Sequence, residues 1–129
     1  MLRGAALAFD GQGIWWTDGD SRYAGLIPWT EIAAVGVGTY RDPRSTSSSK
    51  LDAWLEVYLK DPAPQPAPEL SHHFFEVVSP APHLGGHCYR FQLVHDGSAQ
   101  AVEQAAARWN PALWHGTWDH AHRPRSARH

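Results

Sequence analysis

The stretch Gly25-Leu26-Ile27-Pro28-Trp29-Thr30-Glu31-Ile32, followed by Ala33-Ala34-Val35-Gly36-Val37-Gly38, decides how this chain is read. A short apolar strand runs into Pro28, a single helical turn follows, and a second strand leaves at once. Pro28 has a fixed φ and no N–H, so it ends ladder pairing. Thr30 is placed to cap the turn, and Glu31 sits near its positive end. So tight a strand–turn–strand unit points to a small β fold and names no chemistry.

Working outward, seven short strands are expected. The first three are residues 5–10, closed by the turn Gly11-Gln12-Gly13, then 14–17 and 22–27. The fourth covers 33–40. The fifth is the clearest: Leu51, Ala53, Leu55, Val57 and Leu59 alternate with Asp52, Trp54, Glu56, Tyr58 and Lys60. That period of two predicts one buried face and one wet face. A sixth strand is expected over 73–78 and a seventh over 88–94, the latter with Tyr89, Phe91 and Leu93 on one face. Pro62, Pro64, Pro66 and Pro68 forbid regular pairing and make an extended connector. The segment from Arg41 to Lys50 is polar and reads as a loop.

The period then changes. Asp96-Gly97-Ser98 supplies N-cap residue types, and a helix is expected near 98–110, ended by Asn110-Pro111. Val102, Ala106, Trp109 and Leu113 fall on one of its faces. From His115 to His129 the chain is rich in Arg and His. Three arginines stand against Asp119 alone, giving about +2 there and about −4 elsewhere. The expectation is a single domain over residues 1–114 and a flexible tail over 115–129.

Composition narrows the function classes. The 129 residues are 43% hydrophobic, which fits a globular domain. A formal net charge of −2 argues against a nucleic-acid binder driven by bulk charge. Cys88 is the single cysteine, so no internal disulfide framework exists, and a reducing cytoplasm is the expected location. No apolar run approaches the roughly 18 residues of a membrane span.

The motif from Gly25 to Ile32, together with the final strand–helix join, resembles the bacterial pleckstrin-homology-like (PH-like) domains. In that family a Pro-Trp followed by an acidic residue and Ile commonly precedes the next strand. The resemblance covers roughly residues 5–110 as an element pattern. It implies a mainly β (α+β) roll or barrel of about seven antiparallel strands, capped by one C-terminal helix with Trp109 plugging the barrel mouth. One departure limits what it implies about ligands. Membrane-binding PH domains carry a basic first hairpin loop, whereas Asp10-Gly11-Gln12-Gly13 is acidic, so phosphoinositide binding is not expected.

Residue chemistry offers few catalytic candidates. His83, His87 and Cys88 are weak candidates for a metal site, because imidazole and thiolate suit zinc or copper. His87 and Cys88 are neighbours on a strand and point to opposite faces, so they do not make a nucleophile–base pair. Gly11-Gln12-Gly13 lacks the spacing and lysine of a phosphate loop, and no Gly-x-Ser-x-Gly elbow is present. The chain is therefore not expected to be an enzyme or to need a cofactor. Aromatic residues carry the stronger signal. Trp15 and Trp16 are adjacent on a strand, so one must face outward. Trp54 and Tyr58 share the wet face of the fifth strand. Exposed aromatics bury much area at low entropy cost, which makes Trp15, Trp54 and Tyr58 candidate interface residues. The expected function is a non-catalytic protein-interaction or self-assembly module, taking a protein partner or forming a homo-oligomer. The alternative is a small-ligand or metal carrier using the barrel mouth or the His83–Cys88 region.

Overall fold

The computed structural model describes residues 6–17, 24–41, 52–60, 70, 73–77, 84–93, 98–120 and 125–126. Strands β1 (Ala6–Phe9), β2 (Gly13–Thr17) and β3 (Ala24–Pro28) form an antiparallel meander. Pro28 ends β3, and a one-turn 3-10 helix over Trp29–Glu31 carries the chain into β4 (Ile32–Tyr40). This turn is the crossing point between two sheets. It is held from both sides: Trp29 N–H donates to the Gln12 carbonyl at 3.0 Å, and Lys60 N–H to the Glu31 carbonyl at 2.9 Å. Its N-cap is Pro28, with no side-chain capping bond, so the cap expected from Thr30 is not made.

The second sheet contains β4, β5 (Asp52–Leu59), β6 (Phe74–Glu76), β7 (His87–Gln92), β8 (Trp114–Asp119) and β9 (Arg125–Ser126). Its strand order is β8-β4-β5-β7-β6-β9. One α-helix, α1 (Ser98–Trp109), lies between β7 and β8 in the chain, and a 3-10 turn over Pro111–Leu113 joins α1 to β8.

The main core lies between the two sheets. Ile14, Trp16 and Ile27 from the meander meet Val35, Leu55 and Phe91 from the larger sheet, with Val102 of α1 closing one side. Each of these side chains contributes on the order of 1.5–3 kcal/mol through burial. The buried face anticipated in β5 is present in Leu55 and Val57, but the wet face is not, because Glu56 and Tyr58 are just as fully buried on the other side of the sheet.

Several expectations need correction. The fold is mainly β with one α-helix among the described residues, but the two sheets do not close into a barrel. Among the described residues nine strands are present rather than seven. They are not all antiparallel, because β8 pairs with β4 in parallel. Residues 114–119, placed largely in a flexible tail by charge and composition, form a sheet strand, and His120 beyond them is buried. Trp109 is not a plug: it is 40% exposed and lies over the β1–β2 turn, while Val102 and Ala106 provide the buried face of α1. The loop over 42–50, the proline connector over 61–69 and His83 lie outside the described residues.

Candidate functional site

Two features carry chemistry, one exposed and one buried. The exposed one is built around the β1–β2 turn. Asp10 Oδ1 accepts from the backbone N–H of Gln12 (2.8 Å) and Gly13 (3.3 Å), which folds the turn tightly. Gly13 has φ of +154°, and a Cβ there would overlap the Ile27 carbonyl oxygen. Only glycine fits so close a backbone approach. Asp10 then positions two indoles: Oδ2 accepts from Trp15 Nε1 at 2.8 Å, and its carbonyl accepts from Trp29 Nε1 at 2.7 Å. Donors to its carboxylate, the Gln12 amide foremost and then the Trp15 indole, hold the Asp10 carboxyl below its ordinary value.

Trp15 and Trp109 are the two large hydrophobic side chains left exposed among the described residues, at 42% and 40%. Both adjoin this turn. Trp15 is hydrogen-bonded to Asp10, and the Trp109 ring comes within 3.9 Å of where a Cβ would stand on Gly11. Arg108 lies over the Trp109 ring at 5.0 Å from its centroid. Trp15 also lines, with Leu7, Ala8, Trp16, Thr17, Ala24 and Gly25, an open apolar groove of about 350 Å³ that Trp109 does not reach. The outer strands of the meander, β1 and β3, flank it.

The buried feature lies on the opposite face of the larger sheet, where a wet face was expected for β5. Glu56 is completely buried and stands opposite Arg90 of β7. Its Oε2 accepts from Arg90 Nε at 2.8 Å and pairs with His120 Nε2, also at 2.8 Å. Its Oε1 accepts from Trp118 Nε1 at 2.9 Å and from the Tyr58 hydroxyl at 3.1 Å. A carboxylate only accepts, so the His120 pair places the donated proton on Nε2. Burial pushes the Glu56 carboxyl up, but His120, Arg90 and Trp118 outweigh it and leave the value lowered. The Arg90 guanidinium is clamped between Trp54 (4.3 Å) and Phe75 (5.2 Å), and its Nη2 is buried without a hydrogen-bond partner among the described residues.

Two glycines make room for this cluster. Gly36 and Gly38 of β4 lie in register with Glu56 and Trp54. A Cβ on Gly36 would stand 2.5 Å from the Trp118 ring, and one on Gly38 would overlap the Glu56 carboxylate. The strand that lies against β4 at these glycines is the chain's own β8.

The expected interface residues therefore separate. Trp15 faces solvent. Tyr58 is fully buried against Trp118, with ring centroids 5.9 Å apart, and burial foremost, with the Cys88 and Glu56 charges behind it, raises its phenol far above the ordinary range. Trp54 is half-buried and covers Arg90. Of the His–Cys candidates, His83 lies outside the described residues, and His87 and Cys88 have separate surroundings. His87 stacks on Phe74 at 5.1 Å and reaches Glu76 at 3.8 Å, whereas Cys88 is buried beside Tyr58 and Ala34. Among the described residues no group of three or more His, Cys, Asp or Glu side chains is placed to hold a metal ion.

No family model, no curated protein and no solved structure matches this chain. Among the described residues no helix is long and apolar enough to cross a membrane.

The two features differ in what they can do chemically. Glu56 has each oxygen engaged by two donors and no exposure, so it offers no lone pair to an incoming substrate. It welds β5, β7 and β8 together. The Asp10 turn instead presents one hydrogen-bonded indole, Trp15, to solvent, with Trp109 close by. Sequence reasoning found Trp15 and missed Trp109, whose helical position suggested burial. It also missed Glu56 and His120. The signal in the sequence for Glu56 was its place between two aromatics, Trp54 and Tyr58, on one face of a strand.

Proposed function

We propose that this chain is a non-catalytic interaction module that self-assembles or takes a protein partner through the aromatic surface around Asp10. The observation that carries this is the meeting of Trp15 and Trp109 at one tight turn. Partly exposed tryptophans, one of them lining an apolar groove, are the residue type on which binding energy concentrates. The Trp15–Asp10 bond fixes the indole in advance, which lowers the entropy cost of association.

PH-like architecture is the fold reading that goes with this proposal. An early meander, the Pro28-Trp29 turn, strands through β7 and one following helix support it. The parallel β8 is an addition to that pattern. The single, deeply buried thiol of Cys88 fits a cytoplasmic setting.

Sedimentation equilibrium on the full chain tests the proposal, with Trp15→Ser and Trp109→Ser compared against the parent. The parent is expected to self-associate, and each substitution to weaken association by at least about tenfold. Urea stability should change little, as both residues are exposed. A parent chain that stays monomeric at hundreds of micromolar overturns the self-assembly arm. A small apolar ligand is then the next occupant to test, because the groove is of ligand size. Native mass spectrometry would show one as added mass.

A further inference from the structure

We infer that the outer edge of β3 takes an extended segment of a partner protein as a fourth, antiparallel strand of the meander, patterned basic, apolar, hydroxyl, apolar. This rests on the reading of the chain as an interaction module and names the form and chemistry of its partner.

The backbone of β3 decides which groups are open. Among the described residues its ladder partner is β2 alone. Trp29 N–H donates to the Gln12 carbonyl, and that pair continues the register of Gly13 with Pro28. The bond sets the phase of the ladder, because bonded pairs of an antiparallel ladder recur at every second residue. They fall at Ile27 with Ile14 and at Gly25 with Trp16. The N–H and C=O groups of Leu26 and Ala24 therefore point away from β2, and among the described residues nothing bonds to them. Ala24-Gly25-Leu26-Ile27 carries no charge and no bulge of the kind that blunts an edge. Alternate donors and acceptors at this spacing are matched by another extended backbone.

A cavity lies on each side of that edge, which suits a strand, since its side chains alternate between faces. The open groove of about 350 Å³ is on the outer side, lined by Trp15 and Ala24 among others. Leu26 is the register partner of Trp15 and shares its face. A residue opposite Leu26 or Ala24 therefore faces the apolar groove. Between the sheets, a smaller cavity of about 160 Å³ is lined by Leu26, Ile27, Leu59, Leu70, Tyr89 and Glu31, together with Trp16 and Gly25. A residue opposite Ile27 or Gly25 faces this side.

The inner cavity sets the polar half of the pattern. Glu31 is its one charged residue among the described lining. Apolar walls with an acid beside them fit a Lys or Arg opposite Ile27, its methylene stem on the leucines and its head toward the carboxylate. At Gly25 no side chain fills the inner face, and a Cβ there would stand 3.1 Å from Trp16 Nε1. Trp16 is only 2% exposed, yet its indole N–H makes no hydrogen bond among the described residues. A hydroxyl opposite Gly25 offers that buried donor an acceptor.

The probe is a fluorescein-labelled peptide, Gly-Gly-Lys-Val-Thr-Val-Gly-Gly, followed by anisotropy with the full chain. It is expected to saturate below about 1 mM. N-methylation of both valines removes the N–H groups that meet Leu26 and Ala24 and should weaken binding at least about tenfold. N-methylation of the threonine, whose N–H points away, should change it less than about twofold. No binding up to about 1 mM, equal tolerance of the two methylations, or loss on threonine methylation alone overturns the proposal. Leu26→Pro deletes an N–H that β2 does not use, so it should weaken the peptide while the circular-dichroism melting midpoint holds. If that chain does not fold, the methylated pair decides alone. Glu31→Lys should reverse the preference toward a peptide with Glu in place of Lys; an unchanged preference overturns the basic residue.

Failure here is distinguishable from failure of the aromatic-surface reading. A monomeric chain that binds the peptide, with or without Trp109→Ser, loses self-assembly and keeps the β3 edge. Self-association that survives Leu26→Pro with no peptide bound leaves only the aromatic surface. Self-association abolished by Leu26→Pro with no peptide bound puts a second copy on the edge and overturns the partner.

Discussion

Glu56 and Arg90 face each other across β5 and β7, joined by a 2.8 Å bond between Nε and Oε2 with both side chains almost completely out of solvent. Burial on this scale makes the pair sensitive to the loss of either member. Glu56→Gln removes the charge and leaves the guanidinium uncompensated, at an expected cost of about 3 kcal/mol or more. Replacing both residues, Glu56→Leu with Arg90→Met, should be far less harmful than the two single changes summed. Urea denaturation of the four chains would show this as a coupling energy above about 1 kcal/mol.

The lowered carboxyl of Glu56 sets a direction for acid stability. In the unfolded chain its value returns to near 4.5, so over the window between the two values the unfolded state binds more protons. The contribution is fully present above the unfolded value and is lost as pH falls through the folded one. Urea midpoints followed from pH 7 to pH 3 should therefore decline on the acid side, and Glu56→Gln should flatten that decline. Asp10 is also lowered, but it is solvated and its share is small; Asp10→Asn serves as the control.

Gly36 and Gly38 are required by what lies over them. Gly36→Ala pushes a methyl into the Trp118 ring, and Gly38→Ala pushes one into the Glu56 carboxylate. Each is expected to cost about 1–3 kcal/mol as an overpacked site. Gly36→Ala should also loosen β8 selectively. Hydrogen exchange would find faster amides over 114–120 and unchanged protection in β2 and β5.

Cys88 lies beneath the same cover. Burial foremost, and then the Glu56 charge, push its thiol well up, and a thiol held protonated is a poor nucleophile. A thiol-reactive dye at pH 8 should label the native protein much more slowly than the urea-unfolded chain. Labelling of Gly36→Ala should lie between them, because β8 must lift before Tyr58 and Cys88 become accessible.

The elements that depend on local pattern were legible in the sequence. The alternation through β5, the helix over 98–109 and the Pro28 crossing all follow from periodicity and backbone restriction within a few residues. Misreadings arose where a residue's partner lies far along the chain. Glu56 reads as a solvent-facing acid until Arg90 and His120 are known to meet it. Trp118 and Gly36 explain each other only once β8 is placed on β4. Even so, residues 114–119 carried a signal of their own, since Trp114, Gly116 and Trp118 alternate with His115, Thr117 and Asp119. The positive charge of the following arginines masks it. Trp109 shows a further limit: a helical stripe predicts which residues share a face, but not how far along the helix the neighbouring sheet extends.

The late position of β8 in the chain bears on how the protein is made. Every other member of the Glu56 cluster leaves the ribosome before Trp118 and His120 do. Until those two emerge, the nascent domain holds an acid and an arginine under an uncovered glycine slot, with one sheet edge open. Pausing or truncation before residue 118 therefore releases a chain whose core sheets can pair but whose outer face is unfinished. Such chains should be the ones that chaperones hold and proteases remove first.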